Sequence, residues 1–450
     1  MGLAAGLKVF VKQLGKATVI KLTRHGALVS LDDAKGLEVE MPSQDLEVIE
    51  EDYNQSEIIK PVQEVKEAMD VNALKSLEAL RFGLVPEAHV QMLTLGYERL
   101  QKWANACFPE NCDDKPRAYE ITGPFGTGKS HTMSVIRFLA QAEGYLTARV
   151  EVDGEKISLA EPDQLLYTLW LTLTGKDLIS DTPLLDLYLM AIKKGHKIVP
   201  RGLTKSLLFT INYEFILRLK QLGLVDKYAL LIEEALSSNS GITATRIKDE
   251  FELENSIRRS EVTLRPVLAK RKMDRPRNFI ESLAGHALIA KAAGYKGLVV
   301  TIDEFEVQYT MAKGGLRQIE DFISLLTEYL TVKTDLPLAP LAIFFATVGQ
   351  DGHQGDILIE DLVKRSGGGT FVLSSWTSQQ YMELAQKIFS LYKQVYGLEN
   401  DFDPLLAQEV NDLLVTRGFG DGDVIRMYIK WYMAKLDLKY GPGRQQGEYH

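Results

Sequence analysis

The first fifty residues alternate apolar and polar positions in short runs, the two-residue period that is typical of half-buried β-strands. The runs are LKVFVKQ, KATVIKLTR, GALVSLDD, LEVEMP and LEVI, with Gly or Asp-Asp turns between several of them. So many strands in so short a segment predict a small all-β barrel of SH3-like type over residues 1–50. Such a barrel either docks protein or nucleic acid, or stabilises the chain without a ligand of its own.

After the predicted barrel the pattern changes to the helical spacing of three and four residues. Residues 51–78 are acidic and are predicted to form a linker that runs into an initial helix. Apolar residues at helical spacing continue from residue 79, with a break at residues 83–86. Residues 377–440 are again helical throughout, and the tail 441–450 is expected to be disordered.

Residues 79–376 contain three strongly apolar runs that predict strands buried on both faces. The runs are AYEIT, GLVVTID and LAPLAIFFAT, and helical patterns lie between them. This order predicts an α/β fold with a parallel sheet. Because the first two runs lie far apart for a minimal domain, a helical insertion is expected at about residues 155–295.

Residues 121–131, ITGPFGTGKSH, fit Gly-x-x-x-x-Gly-Lys-Ser between a predicted strand and a predicted helix. Glycines let backbone N–H groups point at an anion, and the N-terminus of the following helix adds a positive dipole. Lys129 adds a full charge for the outer phosphates, and the Ser130 hydroxyl is a ligand for Mg²⁺. The pattern predicts a P-loop, with a plain glycine-rich turn as the alternative. The residues expected to bind the nucleotide are Gly123, Pro124, Phe125, Gly126, Thr127, Gly128, Lys129, Ser130 and His131.

The second apolar run ends in the carboxylates that hydrolysis of a bound nucleotide requires. Asp303 is expected to hold Mg²⁺ through water, and Glu304 to orient and polarise the attacking water. Glu306 is a weaker candidate for the second role. An acidic pair at a solvated turn has the same sequence, but its place after a P-loop favours catalysis. The guanine-reading pattern Asn/Thr-Lys-x-Asp does not occur in the sequence, which favours ATP as the nucleotide.

Several motifs together resemble the BREX-type phage-defence P-loop ATPases, the BrxD-like proteins, which are similar in turn to AAA+ and initiator-type ATPases. The motifs are EALRFGLVP, GPFGTGKSH, AAGYKGLVVTIDE and IFFATVG, within a resemblance that spans residues 79–436. It implies an AAA+-like core with a C-terminal helical lid, ATP and Mg²⁺ as cofactors and assembly into a homo-oligomer. It also implies companion defence proteins in a bacterial anti-phage setting.

The resemblance implies roles for three further residues. In AAA+ proteins the strand beside the Asp-Glu strand carries a polar residue near the γ-phosphate; Thr347 takes that place here, or only caps the strand. Arg365, beside a glycine-rich turn, takes the place of an arginine finger that reaches a neighbouring subunit, or is a surface residue. Gly422 stands where the lid often carries a second sensor Arg, which leaves Arg426, one turn on, as a substitute.

Composition and charge limit the remaining classes. The chain has 450 residues, of which 45% are apolar and 25% charged, as in a globular protein of two or three domains. Its net charge of −9 gives no general affinity for nucleic acid. The basic segment 258–277 is the exception: it either faces double-stranded DNA or carries solvated charge around a connection.

The two cysteines, Cys107 and Cys112, are expected to be free thiols, because no second cluster completes a zinc site. The sequence has neither an apolar run long enough to span a bilayer nor a secretory signal, so we expect a cytoplasmic location.

Taken together, these patterns favour an ATP-hydrolysing motor or switch that is coupled to DNA or to a methylase or nuclease partner. The alternatives are a non-catalytic scaffold that ATP locks into an oligomer, and a DNA-loading ATPase of initiator type.

Overall fold

The structure is a computed structural model, and its contacts divide the chain into two units, Met1–Ala68 and Met69–His450. The residues that it describes are 8–11, 15–22, 26–31, 38–42, 46–48, 70–86, 88–109, 115–153, 157–195, 208–237, 275–305, 316–333, 335–349, 354–417 and 424–441. Cys112, Glu306, Gly422 and the tail 442–450 lie outside these residues, so the expectations for them stay predictions.

The first unit contains an antiparallel sheet of five strands in the order β4-β3-β2-β1-β5. The strands are β1 (Lys8–Val11), β2 (Gly15–Leu22), β3 (Gly26–Leu31), β4 (Glu38–Pro42) and β5 (Leu46–Val48). A bulge interrupts the pairing of β2 with β3 between Val19 and Lys21. The alternating pattern therefore forms strands as expected. The pairings among the described residues run in an open series from β4 to β5, so closure into an SH3-like barrel is not supported by them.

The second unit alternates helices with parallel strands. In chain order its elements are α1 (Val71–Arg81), α2 (Val90–Leu93), α3 (Tyr97–Cys107), β6 (Arg117–Thr122), α4 (Lys129–Ala142), β7 (Leu146–Glu151), α5 (Pro162–Leu171), α6 (Pro183–Lys193), α7 (Leu208–Gln221), α8 (Val225–Leu236), α9 (Arg275–Ala293), β8 (Leu298–Asp303), α10 (Leu316–Leu330), β9 (Leu341–Thr347), α11 (Gln354–Arg365), β10 (Thr370–Val372), α12 (Ser378–Tyr396), α13 (Pro404–Arg417) and α14 (Val424–Tyr440).

The sheet of the second unit confirms the predicted α/β class. Its five strands are all parallel and lie in the order β10-β6-β9-β8-β7. Every residue of β8 and β9 is buried, which explains their largely apolar sequences. Because parallel strands end at one edge of the sheet, the ends of β6, β8 and β9 lie close together there.

Alternate side chains of each strand pack in two separate cores. On β8, Leu298 and Val300 pack in the core formed with helices α5–α11, whereas Val299 packs with α3 and α4. The helices α5–α9, which lie between β7 and β8, provide much of the first core. The second core contains Trp103, whose ring packs edge-on against Tyr119 and Phe344.

A third core joins α1 to the C-terminal helices. Leu77 and Leu80 of α1 pack with buried residues of α12, α13 and α14, and Asp70 caps the first turn of α1. Helix α12 begins with a reciprocal capping box between Thr377 and Gln380. The helix that follows the acidic stretch therefore packs with the C-terminal helices, although it lies hundreds of residues away from them in sequence.

Cys107 is buried in the core with α3 and α4; the expectation of free thiols stays a prediction, because Cys112 lies outside the described residues. In the basic segment only residues 275–277 are described; there Arg275 contacts Glu161 and Asp163, and Arg277 makes two bonds to Asp335. Among the described residues, no helix combines the length and apolar character needed to cross a bilayer.

Candidate nucleotide-binding site

The glycine-rich turn lies between the end of β6 and the start of α4. Gly126 and Gly128 have φ angles of 73° and 96°, in the left-handed region that favours glycine. A side chain at Gly123 would bring its Cβ to 2.7 Å from the carbonyl oxygen of Leu373, too close for any other residue. Gly128 is also the N-cap residue of α4, so the turn leads directly into the N-terminus of a fourteen-residue helix. This geometry is that of an anion cradle.

Lys129 lies over this turn and is only 8% exposed. Its Nζ donates to the carbonyl oxygens of Gly123 and Pro124, at 3.1 and 3.3 Å. The same ammonium lies 5.2 Å from the ring centroid of Phe125. The positive charge of Lys129 therefore lies at the turn. Ser130, the next residue of α4, has an exposed side chain.

The two predicted carboxylates follow the end of β8. Asp303 is 8% exposed, and its Oδ1 accepts from the backbone N–H of Glu304 at 3.0 Å. Glu304 has a φ of 57°, a left-handed conformation that is costly for a residue with a side chain. Such local strain is common at functional sites, where it aims a side chain that would otherwise point elsewhere.

Burial and the neighbouring Asp303 carboxylate raise the pKa of Glu304 above its ordinary value. Glu151 acts in the same direction, whereas the charges of Lys129 and Arg426 lower that pKa. The Glu304 carboxylate therefore senses two cations, one from the glycine-rich turn and one from α14. A carboxylate with a raised pKa is a better proton acceptor than an ordinary Glu.

A cavity of about 920 Å³ brings these groups together. Residues 125–131, Asp303, Glu304 and Arg426 all line it. An apolar wall of the cavity consists of Leu84, Val85, Pro86, Leu93, Trp376, Ile425 and Ile429. A cavity lined by both cations and apolar side chains suits a nucleotide, because the phosphates need the cations and the base needs apolar contacts.

His131 lines the cavity, but its side chain also joins the glycine-rich turn to the segment before α3. Its Nε2 lies 2.8 Å from the Thr94 hydroxyl, which in turn donates to the carbonyl oxygen of Val90. Because that hydroxyl uses its proton on Val90, the His131 Nε2 must carry the proton that it donates to Thr94. Burial lowers the pKa of His131 to about 4 and keeps the imidazole neutral.

Thr347 does not line the cavity. It is completely buried, and its hydroxyl donates to the Glu120 carboxylate at 2.7 Å. The other Glu120 oxygen accepts from Thr370 at 2.9 Å. Strand alternation places Thr347 on the sheet face of Phe345, whereas Asp303 lies on the opposite face, with Val299. The Thr347 hydroxyl thus bonds to Glu120, while its carbonyl oxygen accepts from the backbone N–H of Gly123 at 3.3 Å, and the sensor role of Thr347 stays a prediction.

Arg365 also lies away from the cavity of its own chain. It ends α11, its side chain is 61% exposed, and its Nε bonds to Asp361 at 2.8 Å one turn earlier. An arginine finger acts on the nucleotide of a neighbouring subunit, so a position outside the cavity of its own chain is compatible with that role. Its role in trans stays a prediction.

The donor groups present fit a nucleotide with its metal ion. The turn, the helix N-terminus and Lys129 fit phosphate oxygens, and the Ser130 hydroxyl and Asp303 carboxylate are oxygen ligands of the kind Mg²⁺ takes. Sequence reasoning missed Arg99, which also lines the cavity and lies over the Phe371 ring at 5.1 Å. It also missed that residues 83–86 form a wall, although the helical pattern breaks there.

No curated protein matches the chain. Among solved structures, the Aeropyrum pernix ORC2 protein, solved as ADPNP–ADP complexes, is 14% identical and has a TM-score of 0.31. That alignment covers 75% of this chain and spans 61% of the ORC2 chain.

Residues 71–177 match the model of the family described as BREX system ATP-binding protein BrxC/D. The matched segment contains α1, the cavity wall at residues 83–86 and the glycine-rich turn, and it ends before β8. The resemblance to BREX-type P-loop ATPases that the sequence motifs carry is thereby confirmed by the BrxC/D family model.

Proposed function

We propose that the protein binds ATP with Mg²⁺ and hydrolyses it, and that it acts as an AAA+-like motor or switch in a bacterial BREX-type defence system. The observation that carries this proposal is the single cavity lined by Lys129, Ser130, Asp303 and Glu304. These residues come from two strand ends that are far apart in sequence. The description of the matched family as ATP-binding supports the choice of nucleotide.

Binding of ATP requires Lys129 to exchange partners. Its Nζ leaves the Gly123 and Pro124 carbonyls and turns to the outer phosphates, while backbone N–H groups of the turn and of the first turn of α4 donate to phosphate oxygens. Ser130 and Asp303 would hold Mg²⁺, which neutralises part of the phosphate charge when it is bound.

The Glu304 carboxylate then orients the attacking water and accepts its proton. Its position directly after Asp303 keeps it beside the metal ligand, and its raised pKa favours proton acceptance. The apolar wall that includes Leu84, Val85 and Ile425 excludes water from the base and contacts its faces. Because Arg426 comes from α14, occupation of the cavity links the α/β core to the lid helices.

The same proposal includes the finer expectations from the sequence. The chain assembles into a homo-oligomer in which Arg365 reaches the nucleotide of a neighbour, and it works with companion defence proteins in the cytoplasm. Double-stranded DNA binds the basic segment 258–277, or a methylase or nuclease partner receives the conformational change. Residues 1–50 form a small β domain, residues 51–78 lead into the ATPase core 79–376, and residues 377–440 are the lid.

A non-catalytic scaffold is the second candidate, and one observation favours it. The hydroxyl of Thr347, the residue expected to sense the γ-phosphate, is bonded to Glu120 and lies on the other face of the sheet. A P-loop protein without that contact would hold ATP for long periods and use it to lock an oligomer.

Lys129→Ala tests nucleotide binding. Removal of the ammonium eliminates charge-assisted contacts of ~1.5–3 kcal/mol each, so ATP affinity should fall by about one to two orders of magnitude or more. Equilibrium titration with ATP and Mg²⁺ measures the change. Lys333→Ala, an exposed lysine outside the cavity lining, is the matched control and should bind like the parent. Equal affinity of parent and Lys129→Ala would overturn the proposed site.

Glu304→Gln tests hydrolysis separately. The amide keeps the size of the side chain but cannot accept a proton, so binding should persist and phosphate release should stop. If Glu306→Gln loses turnover and Glu304→Gln does not, the catalytic role belongs to Glu306. If the parent releases no phosphate with or without double-stranded DNA, yet its mass in solution rises with ATP, the scaffold candidate is correct.

A further inference from the structure

Gly83 lies in the loop after α1 and lines the cavity. Its φ of +68° is in the left-handed region. A Cβ on this residue would lie 2.5 Å from Cγ of Arg426 and 2.7 Å from Cε of Lys430. Both partners belong to α14, one helical turn apart, so the bare backbone of Gly83 lies against the same face of that helix.

The contact with Arg426 is the informative one. Non-bonded carbon atoms normally approach no closer than about 3.5 Å, so a methyl group at residue 83 could not coexist with the present position of Arg426. Cγ lies near the base of the Arg side chain, and its displacement would move the whole guanidinium group. Cε of Lys430 lies near the end of a flexible chain and can give way at small cost.

Arg426 extends into the cavity from α14. It lines the cavity together with Lys129, Asp303 and Glu304. Gly83 is the glycine of the motif EALRFGLVP, and its backbone contacts the stem of Arg426, a cation that lines the same cavity as Lys129.

We propose that Gly83 is a positioning residue for nucleotide binding: the missing side chain leaves the space in which the stem of Arg426 lies, and this contact directs the guanidinium toward the phosphates. The inference rests on the proposed ATP site and adds how the lid cation is held there. It gives Gly83 a physical function in addition to the left-handed backbone conformation of its loop.

Gly83→Ala is the test, and the chain offers a matched control. Gly195 has the same φ of +68°, lies outside the cavity lining, and has no atom within 4 Å of an added Cβ. Both substitutions strain the backbone alike, but only Gly83→Ala displaces Arg426. In titrations with ATP and Mg²⁺, Gly83→Ala should bind about tenfold or more weakly, the loss expected for one charge-assisted contact. Gly195→Ala should bind like the parent.

A double-mutant cycle with Arg426→Ala shows whether Gly83 acts through that residue. Arg426→Ala alone should weaken ATP binding about tenfold, and adding Gly83→Ala should weaken it no further. Arg426→Ala should also restore any stability that Gly83→Ala loses beyond Gly195→Ala, so a poorly folded single variant still leaves the double variant to be measured. Additive losses of affinity, or equal affinity of Gly83→Ala and Gly195→Ala, would overturn the inference.

Failure of the ATP site gives a different result. If the parent does not bind ATP, the proposed function is wrong. A crystal structure of nucleotide-free Gly83→Ala still tests whether a side chain at residue 83 displaces Arg426. The Arg426 side chain should have moved away from residue 83 in that crystal. An unmoved Arg426 beside a relaxed loop would refute the positioning role whatever the ligand is.

Discussion

An ion pair adds to the apolar contact between α1 and α14, and it can be removed from either side. Arg81 donates to Asp437 through Nε at 2.8 Å and through Nη2 at 2.7 Å. Nη2 also bonds to the Tyr396 hydroxyl at 2.8 Å, and Tyr392 donates to Asp437 at 2.9 Å. Asp437 raises the pKa of Arg81 further above its ordinary value, against the opposing effect of burial. We expect Arg81→Met to loosen α1, and with it the wall at residues 83–86.

The magnitude follows from geometry and exposure. Two charge-assisted hydrogen bonds are worth ~1.5–3 kcal/mol each before desolvation is counted. The side chains of Arg81 and Asp437 are 21% and 34% exposed, between a surface pair worth up to ~1 kcal/mol and a buried pair whose disruption costs ~3–5 kcal/mol. We therefore expect a coupling free energy of about 2 kcal/mol between the two residues.

A cycle of Arg81→Met, Asp437→Asn and the double variant measures this coupling, from urea unfolding followed on the lid helices. Arg277 and Asp335 form the control, because Nη2 of Arg277 donates to both Asp335 oxygens at 2.7 and 2.8 Å while the two side chains are 53% and 75% exposed. Their coupling should be below ~1 kcal/mol. Equal coupling in the two pairs would show that burial of the Arg81 pair adds nothing, and the reasoning above would be wrong.

Three further outcomes are expected. The acid limb of the pH profile of ATPase kcat/KM should lie above that of an ordinary Glu, because burial and Asp303 raise the pKa of Glu304, and Arg426→Ala should move it higher still by removing an opposing charge. Burial lowers the pKa of His286 to about 4, below the ~6.5 of the unfolded chain. The free energy of unfolding should therefore decrease by up to ~3 kcal/mol as the pH falls from 6.5 to 4. His286→Phe should remove that part of the pH dependence, measured in urea titrations. Glu120→Gln should cost ~1–3 kcal/mol of unfolding free energy, because one hydroxyl partner loses its acceptor; an unchanged urea midpoint would contradict this.

Local patterns predicted the parts of the site that lie next to one another in sequence. The glycines of residues 123–128 and Lys129 stand at fixed spacing, because the proposed phosphate cradle is one turn and the start of one helix. Asp303 and Glu304 follow a strand whose apolar sequence indicates burial on both faces. A parallel sheet then brings the two segments together, because its strands end at one edge.

Predictions for single residues beyond these motifs depended on which face of a strand each one occupies. Thr347 ends the expected strand, yet alternation directs it to the face where Glu120 accepts its hydroxyl. A buried carboxylate in an apolar strand has no signal in the sequence that identifies its partners, since both Thr347 and Thr370 come from other strands. The position of Arg99 at the cavity depended likewise on how α3 packs.

The sequence by itself determined the α/β class, the turn that suits an anion and the carboxylates that follow β8, because each depends on neighbours within one strand, turn or helix. Only the tertiary structure decided that α1 packs with the lid helices, that Gly83 contacts Arg426 and that Thr347 is bonded away from the cavity. Those contacts join residues hundreds of positions apart, and their free energy depends on distance and burial in space, which no local pattern of residue types specifies.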